Sequence, residues 1–300
     1  MARIDSHLHV FAKVSSEFPR QPTPVCPPER EETAEKLLEN MAAHNIDQAM
    51  LVQYGGTSIE HHAYLRHCLR TYPDRFLGIG LIPPDCTEPE EHMDRLAAKG
   101  GIVGFRLRTL GGPRDPFAPI EVREFTAYRI WKHAAERDYV LWLYLKAADA
   151  YLCAYLVDAF PQVRVVFNHM GACPGEGKFS WDEKGRPHIR KHDFYTTQHT
   201  IYRLSRYENV MLHLSGQYAL STEPFPYRDM EHLHRFLHFS FGAGRLLWAS
   251  DAPWIYEEPG YGAYTALIEK LLPDLSAEEY ADIMGATAQR FLRFPQRAAG

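Results

Sequence analysis

The chain has 300 residues, of which 45% are hydrophobic, 24% charged and 13% aromatic, a packed globular profile that excludes disordered, collagen-like and low-complexity classes. That length fits two ordinary domains or one large barrel. Lys plus Arg number 33 against 38 Asp plus Glu, a net charge of −5, which argues against a nucleic-acid partner because neutralising phosphates needs a basic surface; a local cationic pocket stays open.

The first segment, MARIDSHLHVF, carries polar and charged residues where a signal peptide needs an apolar run. It also holds the first β-rich run, 3–10. Seven more follow, at 49–54, 76–82, 102–108, 139–146, 163–169, 210–215 and 246–251. Several are almost continuously apolar (MLV, VLWLYL, VRVVF), as in parallel strands covered on both faces. Helical patterns lie between them. Segment 28–46 opens with Pro and acidic residues and puts Leu37, Leu38, Met41 and Ala42 on one side. Segment 120–138 spaces Phe125, Tyr128, Trp131 and Ala135 by three and four. Segment 276–294 opens with Ser276 and Glu279, a capping-box pair.

Eight strands, each followed by a helix, predict an α/β fold of the (β/α)8 TIM-barrel type, one domain over 1–300, with its site at the C-terminal ends of the strands. The rival is an open doubly wound sheet, weakened by the lack of a GxGxxG after the first strand and of a Walker lysine motif. Three connections, 11–28, 172–192 and 216–227, are longer than a barrel needs. Each follows a strand, which places all three over the mouth.

The greasiest stretch, 139–160, contains Lys146, Asp149 and Asp158, expensive in hydrocarbon, so no membrane span is expected. The five cysteines, Cys26, Cys68, Cys86, Cys153 and Cys173, form no CxxC pair; reduced thiols in a cytoplasmic protein are expected. Apolar and aromatic residues in the helical stretches leave room for a homodimer.

The strongest chemical signal is Asp5-Ser-His7-Leu-His9. Residues two apart on a strand share a side, so at the end of the first barrel strand both imidazoles would face the interior. There they could bind one metal ion, polarise one carbonyl, or simply hydrogen-bond in the core. Two other strand ends add weight: Asn168-His169-Met170-Gly171 after the sixth, and Ser250-Asp251-Ala252-Pro253-Trp254 after the eighth. In a barrel Asp251 neighbours the first strand, and a buried carboxylate needs compensation. GFRLRTLGG carries Arg106 and Arg108 where both could face one side, and LWLYLKAAD carries Tyr144 and Lys146 on the neighbouring strand. Arg matches carboxylates bidentately, so these cations predict a small anionic substrate; the alternative is an internal salt bridge to Asp5 or Asp251.

Gln53 ends the second strand, where it would bind substrate or satisfy a loop. Trp181 and Tyr218 fall in mouth loops and would stack on a planar substrate or anchor the loops. His61, His62 and His67 are expected to be solvated. His234 and His238 have ligand spacing without the glutamate of HExxH, which predicts surface or packing roles. No GxSxG elbow supports a serine hydrolase.

Taken in order, IDSHLHVF, MLVQ, GFRL, VVFNHMG, LLWASDAPW and MGATAQRFL resemble the strand ends of the amidohydrolase superfamily, in the branch related to 2-pyrone-4,6-dicarboxylate lactonase and the sugar lactonases. The resemblance spans essentially the whole chain and implies a distorted barrel. It also implies a substrate-binding role for Arg106, which sits where the dicarboxylate lactonase places such an arginine. Metal-dependent relatives usually supply a histidine at the end of the fifth strand; here Tyr144 and Lys146 occupy that segment and no histidine does. A protonated lysine offers a metal no lone pair. The lactonase branch implies a metal-free site, so no cofactor is expected.

Three functional readings follow. In the first, the protein hydrolyses a carboxylate-bearing lactone or cyclic ester. Asp251 is then the general base on water, His7, His9 and His169 polarise the carbonyl, and Arg106, Lys146, Tyr144 and Gln53 bind substrate. In the second, one divalent ion (Zn or Mn) on His7, His9 and Asp251, with His169 as a further ligand, serves a decarboxylase or hydratase of an aromatic or unsaturated acid. In the third, the barrel binds a ligand without turnover.

Overall fold

The β-rich runs pair into one sheet because each is apolar on both sides: one side faces the barrel interior, the other a layer of helices. In this computed structural model, which describes residues 2–115, 117–172, 177–190 and 194–296 (backbone only at 194–197), the strands are β1 (Ile4–Leu8), β2 (Gln48–Val52), β3 (Phe76–Leu81), β4 (Ile102–Leu107), β5 (Val140–Leu143) and β6 (Val165–Phe167), then a hairpin of β7 (Lys178–Trp181) and β8 (Pro187–Arg190), then β9 (Val210–Leu214) and β10 (Leu246–Trp248). Eight of them run parallel in the order β1-β2-β3-β4-β5-β6-β9-β10, a nearly closed (β/α)8 barrel. The two ends meet through backbone hydrogen bonds just past the strands: Asp251 N–H donates to His7 O at 2.9 Å, and His9 N–H to Ala252 O at 2.8 Å. Ser6 Oγ–H adds a bond to Trp248 O at 2.6 Å.

Two apolar clusters divide the core. The inner one fills the barrel with Ile4, Met50, Val52, Ile79, Val140, Trp142, Val166, Met211 and Leu247, closed below by Leu292 and Phe294. The outer one lies between strands and helices. There α1 (Ala34–Ala43) begins at Thr33, whose Oγ1 accepts from Lys36 N–H, and buries Ala34, Leu37 and Met41. The helix α2 (Tyr128–Arg137) buries Trp131 and Ala134.

Several sequence expectations need adjustment. Barrel strands stop short of the predicted ends: β5 finishes at Leu143, so Lys146 is the exposed residue before α3 (Ala147–Ala159) rather than a strand residue. The stretch 172–192 is not wholly loop, since it holds the β7–β8 hairpin; Cys173 and the rest of 173–176, with 191–193, lie outside the described residues. The predicted helix 276–294 does open with the Ser276–Glu279 capping box. It is then interrupted by a π-type turn, Asp282–Ala286, where Gly285 presses on the N-terminal backbone: a Cβ there would lie 2.1 Å from Ala2 O. No helix among the described residues is long and apolar enough to cross a membrane.

Candidate active site

Three strand ends deliver the central cluster. β1 brings His7 and His9, the turn after β6 brings His169, and the turn after β10 brings Asp251. Asp251 and His169 sit in the left-handed region at φ 57° and 50°, a costly conformation for residues with side chains, which the surrounding structure must hold. Gly216, at φ 80°, lets the chain after β9 pass beside the His169 ring, where a Cβ would lie 3.1 Å from Nδ1.

Asp251 Oδ1 lies 3.6 Å from His7 Nε2 and 3.7 Å from His9 Nε2; Oδ2 lies 3.9 Å from His169 Nδ1. Tyr218 Oη–H donates to Oδ2 at 2.6 Å. Burial pushes the Asp251 carboxyl up to about 7, opposed by the Tyr218 hydrogen bond and the charge of Arg106. The same burial, with Arg106 nearby, pushes His7 and His169 well below the usual imidazole range and His9 to about 3. At neutral pH the imidazoles are therefore uncharged beside a carboxyl near its midpoint.

Hydrogen bonds fix which nitrogen of two rings carries the proton. His9 Nδ1 lies 2.8 Å from Val52 O; a carbonyl only accepts, so Nδ1 holds the proton and Nε2 keeps a lone pair toward Asp251. His7 is the reverse. Its Nδ1 accepts from Trp142 Nε1–H at 2.8 Å, so the neutral ring carries its proton on Nε2, which faces Asp251. His169 Nδ1 pairs with Ser215 Oγ at 3.0 Å, and the hydroxyl serves either tautomer.

A cavity of about 1040 Å³ opens above this cluster. His9, His169, Asp251, Arg106, Arg108 and Tyr144 are among its lining residues, whereas His7, fully buried, is not. All three long connections reach it, through Gln21 and Thr23, through Phe179 and Trp181, and through Gly216 and Tyr218. Arg106 is 8% exposed, forms no ion pair among the described residues, and stacks over the Tyr144 ring with its guanidinium carbon 5.0 Å from the centroid. Burial and Arg108 lower its pKa to about 10, so it stays charged at neutral pH. A row of rings runs along the cavity lining from His9 through Tyr54 and Trp254 to Trp181, with centroids 5.6–5.9 Å apart.

Other predicted residues land elsewhere. Lys146 is exposed and does not line the cavity. Gln53 lines it, but its amide donates to Tyr54 O and His61 O at 2.9 and 2.8 Å, holding the loop. Arg108 sits at the rim, exposed, without an ion pair to Asp5 or Asp251. Tyr218, placed from sequence in a stacking or anchoring role, bonds the central carboxyl. His62, expected in solvent, is buried, with Nδ1 on Ser58 O and Nε2 accepting from Leu81 N–H. His234 is a packing residue bonded to Gln217 and Met230.

Sequence reasoning passed over His213, Trp142 and the role of Asp5. The His213 ring is buried 5.3 Å from His7 and 4.8 Å from Trp142. Its signal was a histidine inside the otherwise apolar strand VMLHL, two residues after the inward Met211. Asp5, raised by burial to about 6, accepts from Ser250 N–H and Tyr261 Oη–H, both at 2.9 Å. It thereby clamps the turn that presents Asp251.

Ligand atoms of His7, His169 and Asp251 lie within 4.8 Å of one another, the spacing of a divalent-ion site. The chemistry of the donor set does not fit one. A metal-bound imidazole normally donates its second N–H to an acceptor. Here the second nitrogen of His7 faces the indole N–H, a donor only, so lending the Nε2 lone pair to an ion would set two N–H groups head to head.

The whole-chain comparisons agree with this architecture. Residues 4–294 match the amidohydrolase family. No curated protein matches the chain. Among solved structures, a probable 2-pyrone-4,6-dicarboxylic acid hydrolase from Acinetobacter baumannii with citric acid bound is 19% identical, with a TM-score of 0.72 over 98% of this chain and 100% of that one. An amidohydrolase from Burkholderia multivorans with bound zinc is 21% identical, at 0.71 over 98% and 100%. The 2,6-dihydroxybenzoate decarboxylase from Rhizobium is 15% identical, at 0.59 over 98% and 99%. These neighbours include hydrolases and a decarboxylase on the same barrel. With a match that runs from the first residue of β1 to the end of the C-terminal helical segment, the chain belongs to the amidohydrolase family.

Proposed function

We propose that the protein is a hydrolase of a small carboxylate-bearing lactone or cyclic ester that works without a metal ion. The observation that carries this reading is the pairing, in one cavity, of an Asp251 carboxyl poised near neutrality with a buried Arg106 that forms no ion pair among the described residues. A buried cation without a counter-ion is costly, and an anionic substrate supplies the missing charge. The similarity to a probable pyrone dicarboxylic acid hydrolase supports the same substrate class.

In the proposed reaction, ionised Asp251 takes a proton from water as the water oxygen attacks the ring carbonyl carbon. Negative charge collects on the carbonyl oxygen. His169, in the tautomer where Ser215 donates to Nδ1, is the cavity-facing donor to it. The ring C–O bond then breaks, and the departing oxygen takes the proton from Asp251. Arg106 holds the carboxylate, with Arg108 beside it at the rim, and the rings of Tyr54, Trp254 and Trp181 face the planar part of the substrate, fixing its orientation.

The test is a turnover screen of carboxylated lactones beside hydroxybenzoates, each with and without a chelator. The expected result is ring opening, one acid released per turnover, at a rate the chelator leaves unchanged. Release of carbon dioxide, or activity lost on chelation and restored by zinc or manganese, would replace this reading with a metal-dependent lyase or hydratase. Thermal stabilisation without turnover would leave a binding barrel.

A further inference from the structure

The position of Trp142 bears on the chemistry although the residue is fully buried and does not line the cavity. It belongs to the inner core cluster, where any large apolar side chain would fill the space. What an apolar side chain would lack is the indole N–H, which meets His7 Nδ1 at 2.8 Å, the two ring planes lying 18° from parallel. At that distance the indole N–H, which can only donate, takes the lone pair of Nδ1.

We propose that Trp142 is a positioning residue: by donating to Nδ1 it locks His7 as the Nε2–H tautomer, making His7 a proton donor toward Asp251 and closing it as a metal ligand. Asp251 then accepts one hydrogen bond, from Tyr218 Oη–H on Oδ2, while His7 Nε2–H faces Oδ1 at 3.6 Å, beyond hydrogen-bond distance, with the His9 Nε2 lone pair 3.7 Å from the same oxygen. Neither donor can accept a proton from the carboxyl while its own hydrogen bond stands. His9 is the partner left with a lone pair. The consequence for Asp251 rests on its proposed role as base; the tautomer and the exclusion of metal do not.

The experiment reads the tautomer and the metal affinity directly, with no substrate. In 15N-histidine-labelled protein, long-range 1H–15N correlation spectra, with the His7 signals assigned by their loss in His7→Gln, are expected to show a protonated Nε2 and an unprotonated Nδ1. In Trp142→Phe, which keeps an aromatic ring but removes the donor, the Nδ1–H form should appear. Equilibrium dialysis of both proteins against zinc should show Trp142→Phe binding at least ~10-fold more tightly than the wild type, the gain from one removed hydrogen-bond conflict. A wild-type His7 protonated on Nδ1 overturns the proposal. So does a wild-type protein that takes up one equivalent of zinc as tightly as the variant. Should Trp142→Phe fail to fold, the spectrum and zinc titration of the wild type alone decide it: an Nε2–H ring and no stoichiometric zinc uphold the proposal, and either opposite result ends it.

Discussion

Asp251 carries the sharpest expectations. Replacing it with Asn removes the proposed base, and kcat should fall by about 10²–10⁴, the usual worth of such a group. Stability should move the other way. Because the folded chain raises the Asp251 pKa from 3.8 to about 7, its contribution to stability is full below the unfolded value and lost as pH rises through about 7. Asp251→Asn should therefore match or exceed the wild-type melting temperature at pH 8, which scanning calorimetry would show beside the activity assay. In the wild type, kcat/KM should rise with pH through about 7 as the carboxyl ionises. Tyr218→Phe should move that midpoint upward, since the lost hydrogen bond favours the charged form; a pH profile that stays in place would remove Tyr218 from the account. For Arg106→Ala, steady-state kinetics should show KM raised about 10-fold or more, the worth of a charge-assisted hydrogen bond, with a smaller change in kcat.

The elements themselves were largely legible, because a parallel barrel strand announces itself as a short apolar run and its helix by a three-and-four spacing. His7, His9, His169 and Asp251 could be brought together from sequence because each ends such a run. Lys146 went astray because a strand end was extended by three residues, and past Leu143 the chain turns into α3. The hairpin β7–β8 escaped notice because its strands are four residues each, with Lys178–Trp181 exposed, so no apolar alternation marks them. Trp142 and His213 were hidden differently. They sit inside strands whose side chains all look like core, and only the barrel's curvature turns those two toward His7. The C-terminal segment shows how one small residue decides an element's shape: Gly285→Ala drives a methyl group into Ala2 O, and overpacking of this kind costs about 1–3 kcal/mol. Thermal denaturation should register a melting temperature lower by several degrees.

On the scale of the molecule, a chain with net charge −5 keeps a buried arginine in the lining of its 1040 Å³ cavity, a local charge opposed to the global one. Anions that fit should stabilise the fold: at 100 times Kd the linkage amounts to about 2.7 kcal/mol. A carboxylated lactone product should raise the melting temperature of the wild type measurably and that of Arg106→Ala hardly at all.

The barrel is stitched shut where His7 O and Ala252 O receive their hydrogen bonds, and the groups proposed to react lie at that seam. During synthesis the imidazoles emerge first, and their carboxyl partner follows only after nearly the whole ring has been made. A nascent chain still missing the stretch beyond Trp248 can build most of its helices and strands and yet own no working pocket. Onset of turnover on a ribosome-tethered series of lengthening chains would mark the moment when the two edges join.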